Sequence, residues 1–214
     1  MQITKIEPQK RHKNRSSVFL DNHFAFGIAD FDLRRLKLCE GQELTEEDYD
    51  AIRSEVLTQE ARQYALRLLD RSPYTEKKLR RKLTERDTEE TAIENTIAFL
   101  KEYHYIDDTD YARRYIRTAL RSGKSGMRKI QYDLFGKGVD KKTIELVLAE
   151  MEEEEPMADE AETVMPLLEK KLRGDFSFPS IMKAKRYCIA RGFSYDAIDS
   201  ALRQLKADAE DEWE

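Results

Sequence analysis

The chain has 214 residues, enough to bury a real core, yet only 40% are hydrophobic and 38% are charged, with 8 Gly and 5 Pro and a formal net charge of −5. That profile fits a soluble, mostly helical, elongated protein. No run of about 18 apolar residues is present and the first residues lack the basic-then-apolar layout of a signal peptide, so a cytoplasmic protein with no membrane segment is expected.

In chain order, Ile3 to Ile6, Ser16 to Leu20 and His23 to Ile28 read as short strands. The last alternates as Phe24, Phe26 and Ile28, and Asp21-Asn22 is a tight turn, so a small antiparallel sheet is expected. Asp30 opens a short helix through Leu33, Leu36 and Leu38, ended by Gly41. Thr45 caps the next helix, with Asp48 three residues on. Its apolar face, Ile52, Val56, Ala61, Ala65 and Leu68, runs on into a first helical repeat, joining the sheet to it rigidly. Ser72-Pro73 is expected to stop this helix and start another, with Ser as cap and Pro at the first helical position.

Three stretches then share one helix-turn-helix register. In the second, Ile130 and Leu134 end one helix, Gly138 turns the chain, and Ile144, Val147, Leu148 and Met151 stripe the next. In the third, Ala184 and Cys188 precede Gly192, and Ile198, Ala201, Leu202 and Leu205 follow, each shifted by 54 residues, as from 138 to 192. The first carries Leu79, Leu83, Asp87, Ile93, Ile97 and Leu100, which lie 51 residues before the second, as from 87 to 138. Spacings of three and four put each apolar set on one helical face, and a fixed period marks stacked units too small to bury that face alone. Gly138 and Gly192 suit the left-handed end of a helix, and Asp140 and Ser194 can cap the helix that follows. In the first repeat Asp87 takes the turn and Glu89 the cap register, which leaves Thr88 or Asp87 to do both jobs. The second repeat opens at about Asp107, with Asp108 or Asp110 as cap, and its first helix carries Tyr111, Tyr115, Ile116, Ala119 and Leu120. The third opens near Pro156 and runs through Val164, Leu167, Leu168 and Leu172. Pro166 requires a kink there or a start later than Pro156.

The expected organisation is an N-terminal β segment with short helices over 1–57, three-helix repeats over 58–106, 107–151 and 152–205, and an acidic disordered tail over 206–214. The fold class is mainly α, a curved, elongated tandem array of three three-helix repeats behind a small antiparallel β segment.

Little in the sequence points to catalysis. Gly123-Lys124-Ser125 matches the end of a Walker A motif, but Thr118 stands where its first glycine belongs and a helix precedes it. Cys39 and Cys188 stand alone and read as reduced, partly buried thiols, and His12, His23 and His104 have no zinc spacing. The acid pairs Asp107-Asp108 and Glu89-Glu90 fall at helix starts, where carboxylates favour the exposed N–H groups. A non-enzyme without cofactor or metal is expected.

Charge is more informative. Residues 111–142 hold ten basic residues against Asp133 and Asp140, whereas 206–214 hold Lys206 against five acids. Glu152 to Glu155 form a further acidic run. Arg113, Arg117 and Arg121 recur at i, i+4 and i+8, with Arg114 beside them and few acids at spacings that could pair with them. Such like charges weaken an isolated helix by a few tenths of a kcal/mol each, roughly, so a partner is the natural explanation. Lys124, Arg128, Lys129 and Lys137 extend the charge, and Lys78, Lys129 and Lys183 share one register in the three repeats. The alternative is a solvated face that only keeps the protein soluble. These ten residues form a candidate face for a polyanionic or acidic partner.

The segments "ITKIEPQKRHKNRSSVFLDNHFAFGIADFDLRRLKL", "ALRLLDRSPYTEKKLRRKL", "YIDDTDYARRYI", "LFGKGVDKKTIELVL" and "IARGFSYDAIDSAL", in this order and spacing, resemble the RecX family. That resemblance implies three three-helix repeats that lie in the groove of a RecA–DNA filament and limit its growth or activity, with RecA and the filament as partners. It carries no catalytic residues over, and its binding residues are diffuse, so the basic positions rest on charge alone. Direct, weak and salt-dependent DNA contacts and a monomeric state are expected with it. Two other classes stay open: a helix-turn-helix DNA reader, against which Lys141 and Lys142 with Glu145 and Glu150 make a poor base-reading surface, and a helical-repeat scaffold.

Overall fold

The computed structural model describes residues 1–9, 14–154 and 158–211, so His12, Glu155, Pro156 and 212–214 lie outside the described residues. The chain divides into two compact units, Met1–Pro73 with Leu79–Tyr105, and Tyr74–Lys78 with Ile106–Glu214.

In the first unit, strands β1 (Ile3–Pro8), β2 (Arg15–Leu20) and β3 (His23–Ala29) form an antiparallel sheet in the order β1-β2-β3. Asp21 and Asn22 both take positive φ, 46° and 65°, the twist that a two-residue hairpin turn requires. Val18, Leu20, Phe26 and Ile28 lie on one face with Ile3, whereas Phe24 of the expected alternating set is 62% exposed, where the β2–β3 register shifts between Val18 and Phe19. Helix α1 (Asp30–Arg35) stops before Leu36 because Lys37 takes φ 53°. It is therefore shorter than its apolar spacing suggests, and Leu38 reaches the core from the loop instead. Helix α2 (Glu46–Leu69) opens with the full Thr45/Asp48 capping box, closes the sheet core with Val56, and passes without a break across 57/58 into the first repeat. Arg35 pairs with Glu55 at 2.9 Å, and Arg15 pairs with Glu60, tying α1 and β2 to α2.

Helices α3 (Glu76–Thr84) and α4 (Glu90–Glu102) complete repeat one. Helices α5 (Asp108–Ser122), α6 (Met127–Lys137) and α7 (Lys141–Glu154) make repeat two, and α8 (Glu160–Leu172), α9 (Phe178–Ala190) and α10 (Tyr195–Asp211) make repeat three. In each repeat the first helix packs on the third, α2 on α4, α5 on α7 and α8 on α10. The stripes are buried as their spacing implies, including Leu79, Leu83, Ile93, Ile97, Ile130, Leu134, Ile144, Val147, Cys188 and Ile198.

Two glycines do more than turn the chain. Gly138 has φ 101°, and a Cβ on it would lie 2.5 Å from the Lys77 Cβ; Gly192 has φ 83°, and its Cβ would lie 2.3 Å from the Lys129 amide nitrogen. Each turn thus seats on the start of a second helix one repeat earlier. Hydrogen bonds repeat the joint: the Thr75 hydroxyl donates to the Lys137 carbonyl at 2.6 Å, and the Gly126 amide donates to the Arg191 carbonyl at 2.9 Å. At the same joint the Glu76 amide donates to Asp108 at 2.9 Å and the Met127 amide to Glu160 at 3.3 Å. An acid opening one repeat therefore caps a helix of the repeat before it.

Several local expectations change. Ser72 and Pro73 lie in the loop before α3, whose cap is Thr75, the hydroxyl accepting from the Lys78 amide at 3.3 Å. Asp107, rather than Asp108 or Asp110, caps α5 by accepting from the Thr109 and Asp110 amides. Helix α4 has Glu89 at its cap position with no side-chain cap bond, and Asp87 takes the turn alone at φ 56°. Asp140 and Ser194 do cap, accepting from Thr143 and Ala197 amides. Helix α8 starts at Glu160 behind the Asp159 cap and keeps Pro166 inside. Helix α10 continues to Asp211, through part of the segment expected as a tail. Cys188 is buried, while Cys39 is exposed rather than partly buried.

Candidate polyanion interface

The arginine stripe of α5 is not free. Packing of α5 on α7 brings two carboxylates to it, and Arg113 pairs with Glu154 at 2.7 Å and with Glu150, its side chain only 22% exposed. The bond to Glu154 is the main reason the Arg113 guanidinium is held above its usual pKa. Arg117 reaches the same Glu154 at 3.3 Å, and Arg114 pairs with Asp110 one turn back at 2.7 Å. The expectation of few acids to pair with these arginines is therefore corrected. Glu150 and Glu154 lie about 40 residues downstream, where no helical spacing relates them to α5.

The three lysines that share a register have three environments. Lys78 sits over the Tyr74 ring, 4.7 Å from its centroid, Lys129 pairs with Asp133 at 2.8 Å, and Lys183 opens onto a cavity. Lys137 lies over the Tyr115 ring at 5.3 Å. Arg121 and Arg128 are exposed and have no ion pair among the described residues.

The cavity holds about 780 Å³ within the second unit. Lys124 enters it from the turn after α5, Lys170, Lys171 and Arg173 from the end of α8, and Lys183 and Tyr187 from α9, whose C-cap Arg191 completes it. No carboxylate lines it, and none of its six cations has an ion pair among the described residues. Lys171 and Arg191 both lie over the Tyr187 ring, 4.0 and 4.5 Å from its centroid. Arg191 also donates to the Lys124 carbonyl at 3.0 Å, joining the two repeats at the wall. Next to Tyr187, Cys188 is pushed up to about 11 by burial, with Arg191 and Lys171 opposing the shift, so it stays a thiol at neutral pH.

Lys124 and Lys183 were visible as candidates from the sequence; Lys170, Lys171, Arg173 and Arg191 were not. In sequence the first three adjoin Glu169 and Asp175, and nothing there marks Arg191. Gly123 ends α5 with φ 61°, so Gly123-Lys124-Ser125 follows a helix and forms no phosphate loop between strand and helix. Among the described residues no group of three or more His, Cys, Asp or Glu could hold a metal ion, and no helix is long and apolar enough to cross a membrane.

Comparison with known proteins covers nearly the whole chain. Three family models match: the regulatory protein RecX N-terminal domain over residues 1–45, the RecX first three-helix domain over 61–100, and the RecX second three-helix domain over 107–148. Regulatory protein RecX of Clostridium botulinum (strain Eklund 17B / Type B) is 32% identical over 207 residues, 94% of this chain and 95% of its own length. That of Caldanaerobacter subterraneus subsp. tengcongensis is 34% identical over 202 residues, 94% and 98%. A crystal structure of regulatory protein RecX aligns with TM-score 0.70 and 29% identity over 94% of this chain and 98% of that one. The crystal structure of RecX from Lactobacillus salivarius aligns with TM-score 0.62 and 28% identity over 71% of this chain. With helical repeats, N-terminal sheet and full-length similarity in agreement, the chain belongs to the RecX family of regulatory proteins.

Proposed function

We propose that this protein binds the RecA recombinase and its nucleoprotein filament and inhibits recombinase activity in recombinational DNA repair and the SOS response, acting in the cytoplasm as a monomer and not as an enzyme. The observation that carries the reading is similarity to regulatory protein RecX over 94% of this chain and 95% or more of those proteins. The basic candidates divide by their neighbours. Arg121, Lys124, Arg128 and Lys183 offer charge to a polyanionic filament directly. Arg113, Arg114, Arg117 and Lys129 must first exchange an internal carboxylate for it, and Lys78 and Lys137 an aromatic ring. DNA contacts are weak and fall with salt, because attraction to phosphate comes largely from released counterions.

A base-reading helix-turn-helix is disfavoured by the third helix of repeat two. Its Lys141 pairs with Glu145 at 3.4 Å, and its Glu150 and Glu154 already hold Arg113, an arrangement that repels the phosphates flanking any groove it would enter.

Titrating the purified protein into RecA hydrolysing ATP on single-stranded DNA tests the proposal. Hydrolysis is expected to fall in a dose-dependent way, and the protein to co-sediment with filaments. Unchanged hydrolysis together with no co-sedimentation at low salt would leave a scaffold without this partner.

A further inference from the structure

We infer that the cavity between repeats two and three is a binding site for an oligophosphate, an anion carrying several adjacent phosphate groups. The site shares Lys124 and Lys183 with the candidates for the filament, but it is complete within this chain and binds without the recombinase.

Charge is the first ground. Six cations line one open cleft, five of them exposed, with no carboxylate among its described lining residues, whereas the arginines of α5 are matched by Glu150 and Glu154. The nearest structural explanation is that helix C-termini attract cations, and Gly123, Arg173 and Arg191 are the C-caps of α5, α8 and α9. Each terminus carries about half a negative charge, so three account for fewer than two of the six positive charges. The remainder repel one another, most at low salt where screening is weakest, and an anion held among them relieves that repulsion.

Backbone conformation is the second ground. Arg173 takes φ 52° as the C-cap of α8, a conformation unfavourable for a residue with a Cβ, while the equivalent end of α5 uses Gly123 at φ 61°. Gly174, also left-handed at φ 81°, stands one residue later. The strained position is thus occupied by a guanidinium that lines the cavity. Lys37 and Asp87 take the same conformation at other helix ends, so what sets Arg173 apart is that its left-handed cap places a guanidinium on the cleft wall.

The ring of Tyr187 is the third. It holds Lys171 and Arg191 at 4.0 and 4.5 Å, fixing two like charges close together. A nucleobase seeking to stack on this ring competes with both cations, so phosphate rather than base is what the site recognises. Arg191 is planar and suits paired phosphate oxygens, and the lysines supply charge from the other walls. The volume matches pockets for small ligands, about 300–1,000 Å³. Adjacent phosphates can come from a free polyphosphate or from a nucleic-acid strand.

Isothermal titration on the full chain at low salt separates the sources, with sodium tripolyphosphate in one arm and a thymidine dodecanucleotide in the other. Saturable one-to-one binding of tripolyphosphate, weakened by salt and reduced about tenfold or more by Lys171→Glu with Lys183→Glu, is expected for a free polyphosphate. Binding of the oligonucleotide alone, with the same loss in the variant, assigns the site to a strand backbone. Lys171→Gln with Lys183→Gln repeats the test without adding acids, circular dichroism checks the fold, and Lys141→Glu controls for net charge. No saturable binding in either arm, or equal binding by wild type and both double variants, overturns the inference. Because recombinase is absent from the assay, its result is independent of RecA.

Discussion

Repeats two and three share a fold but handle charge in opposite ways. In repeat two the third helix supplies Glu150 and Glu154, which neutralise Arg113 and Arg117 of the first. In repeat three the third helix gives Asp199 to Lys185 at 2.5 Å, on another side, and leaves the cavity cations unmatched. A local excess of positive charge along the chain is therefore a poor guide to an anion site. What matters is whether the helix packed alongside brings carboxylates to it, and the richest basic window, 111–142, contains only one of the six cavity cations, Lys124.

The joint between these repeats is where the comparison breaks most easily. Gly192→Ala places a methyl group against the backbone of Lys129 in a left-handed conformation. Strain and overpacking together should cost about 4 kcal/mol, read as a shift in the chemical denaturation midpoint. Asp87→Gly, at the turn of repeat one, should change stability by less than about 1 kcal/mol, since it relieves a positive φ at some cost in unfolded-chain entropy. Similar large losses at both positions would show that turn conformation, rather than contact with the preceding repeat, sets the effect.

Next in size are the repeat cores. Ile144→Ala and Ile198→Ala remove side chains that are 4% and 1% exposed, and each should cost about 3 kcal/mol, within the usual range for large-to-small core changes. A loss confined to one of the two would mean that the repeats do not share one cooperative transition, which calorimetry would resolve as two peaks.

Charge variants give smaller effects that bear directly on the contrast. Arg113→Ala leaves Glu150 without its cation and Glu154 with Arg117 alone, and should lower the melting temperature, more so at low salt. Arg121→Ala, with no ion partner among the described residues, should leave it unchanged. Equal melting temperatures for the two variants would remove the distinction between a matched stripe and free surface charge.

The smallest effect is in acid. Asp48 is held below the ordinary 3.8 chiefly by the Thr45 amide, and Asp140 chiefly by the Thr143 hydroxyl. Depressed carboxyls contribute stability above their unfolded value that is lost as pH falls through the folded one. Stability should accordingly decline below about pH 4, and Asp140→Asn should flatten that acid limb slightly. An acid limb identical to wild type would indicate that this cap contributes nothing to folding.

Much of this was legible in the residues themselves. Apolar spacing of three and four fixes a buried face whatever lies opposite, so Ile130, Leu134, Ile144 and Ile198 could be placed in cores, and alternation did the same for Phe26 and Ile28 but not for Phe24, beside the register shift of the β2–β3 pairing. Left-handed turns at Gly138 and Gly192 and the Thr45/Asp48 box are local too, because caps and turns are satisfied within a few residues. Helix ends at Lys37 and the caps at Thr75 and Asp107 were less legible, since several polar residues in each stretch could do the same work.

Only the tertiary structure decided which surface charges are spent and which remain. Coulomb interactions depend on distance in space, and Arg113 meets Glu154 across 41 positions of chain; the Arg191 guanidinium likewise donates to the Lys124 backbone carbonyl across 67. The same holds for the second role of Gly138 and Gly192. A residue's own conformation follows from its neighbours in sequence, but the space left for its Cβ is set by a helix that folds one repeat earlier.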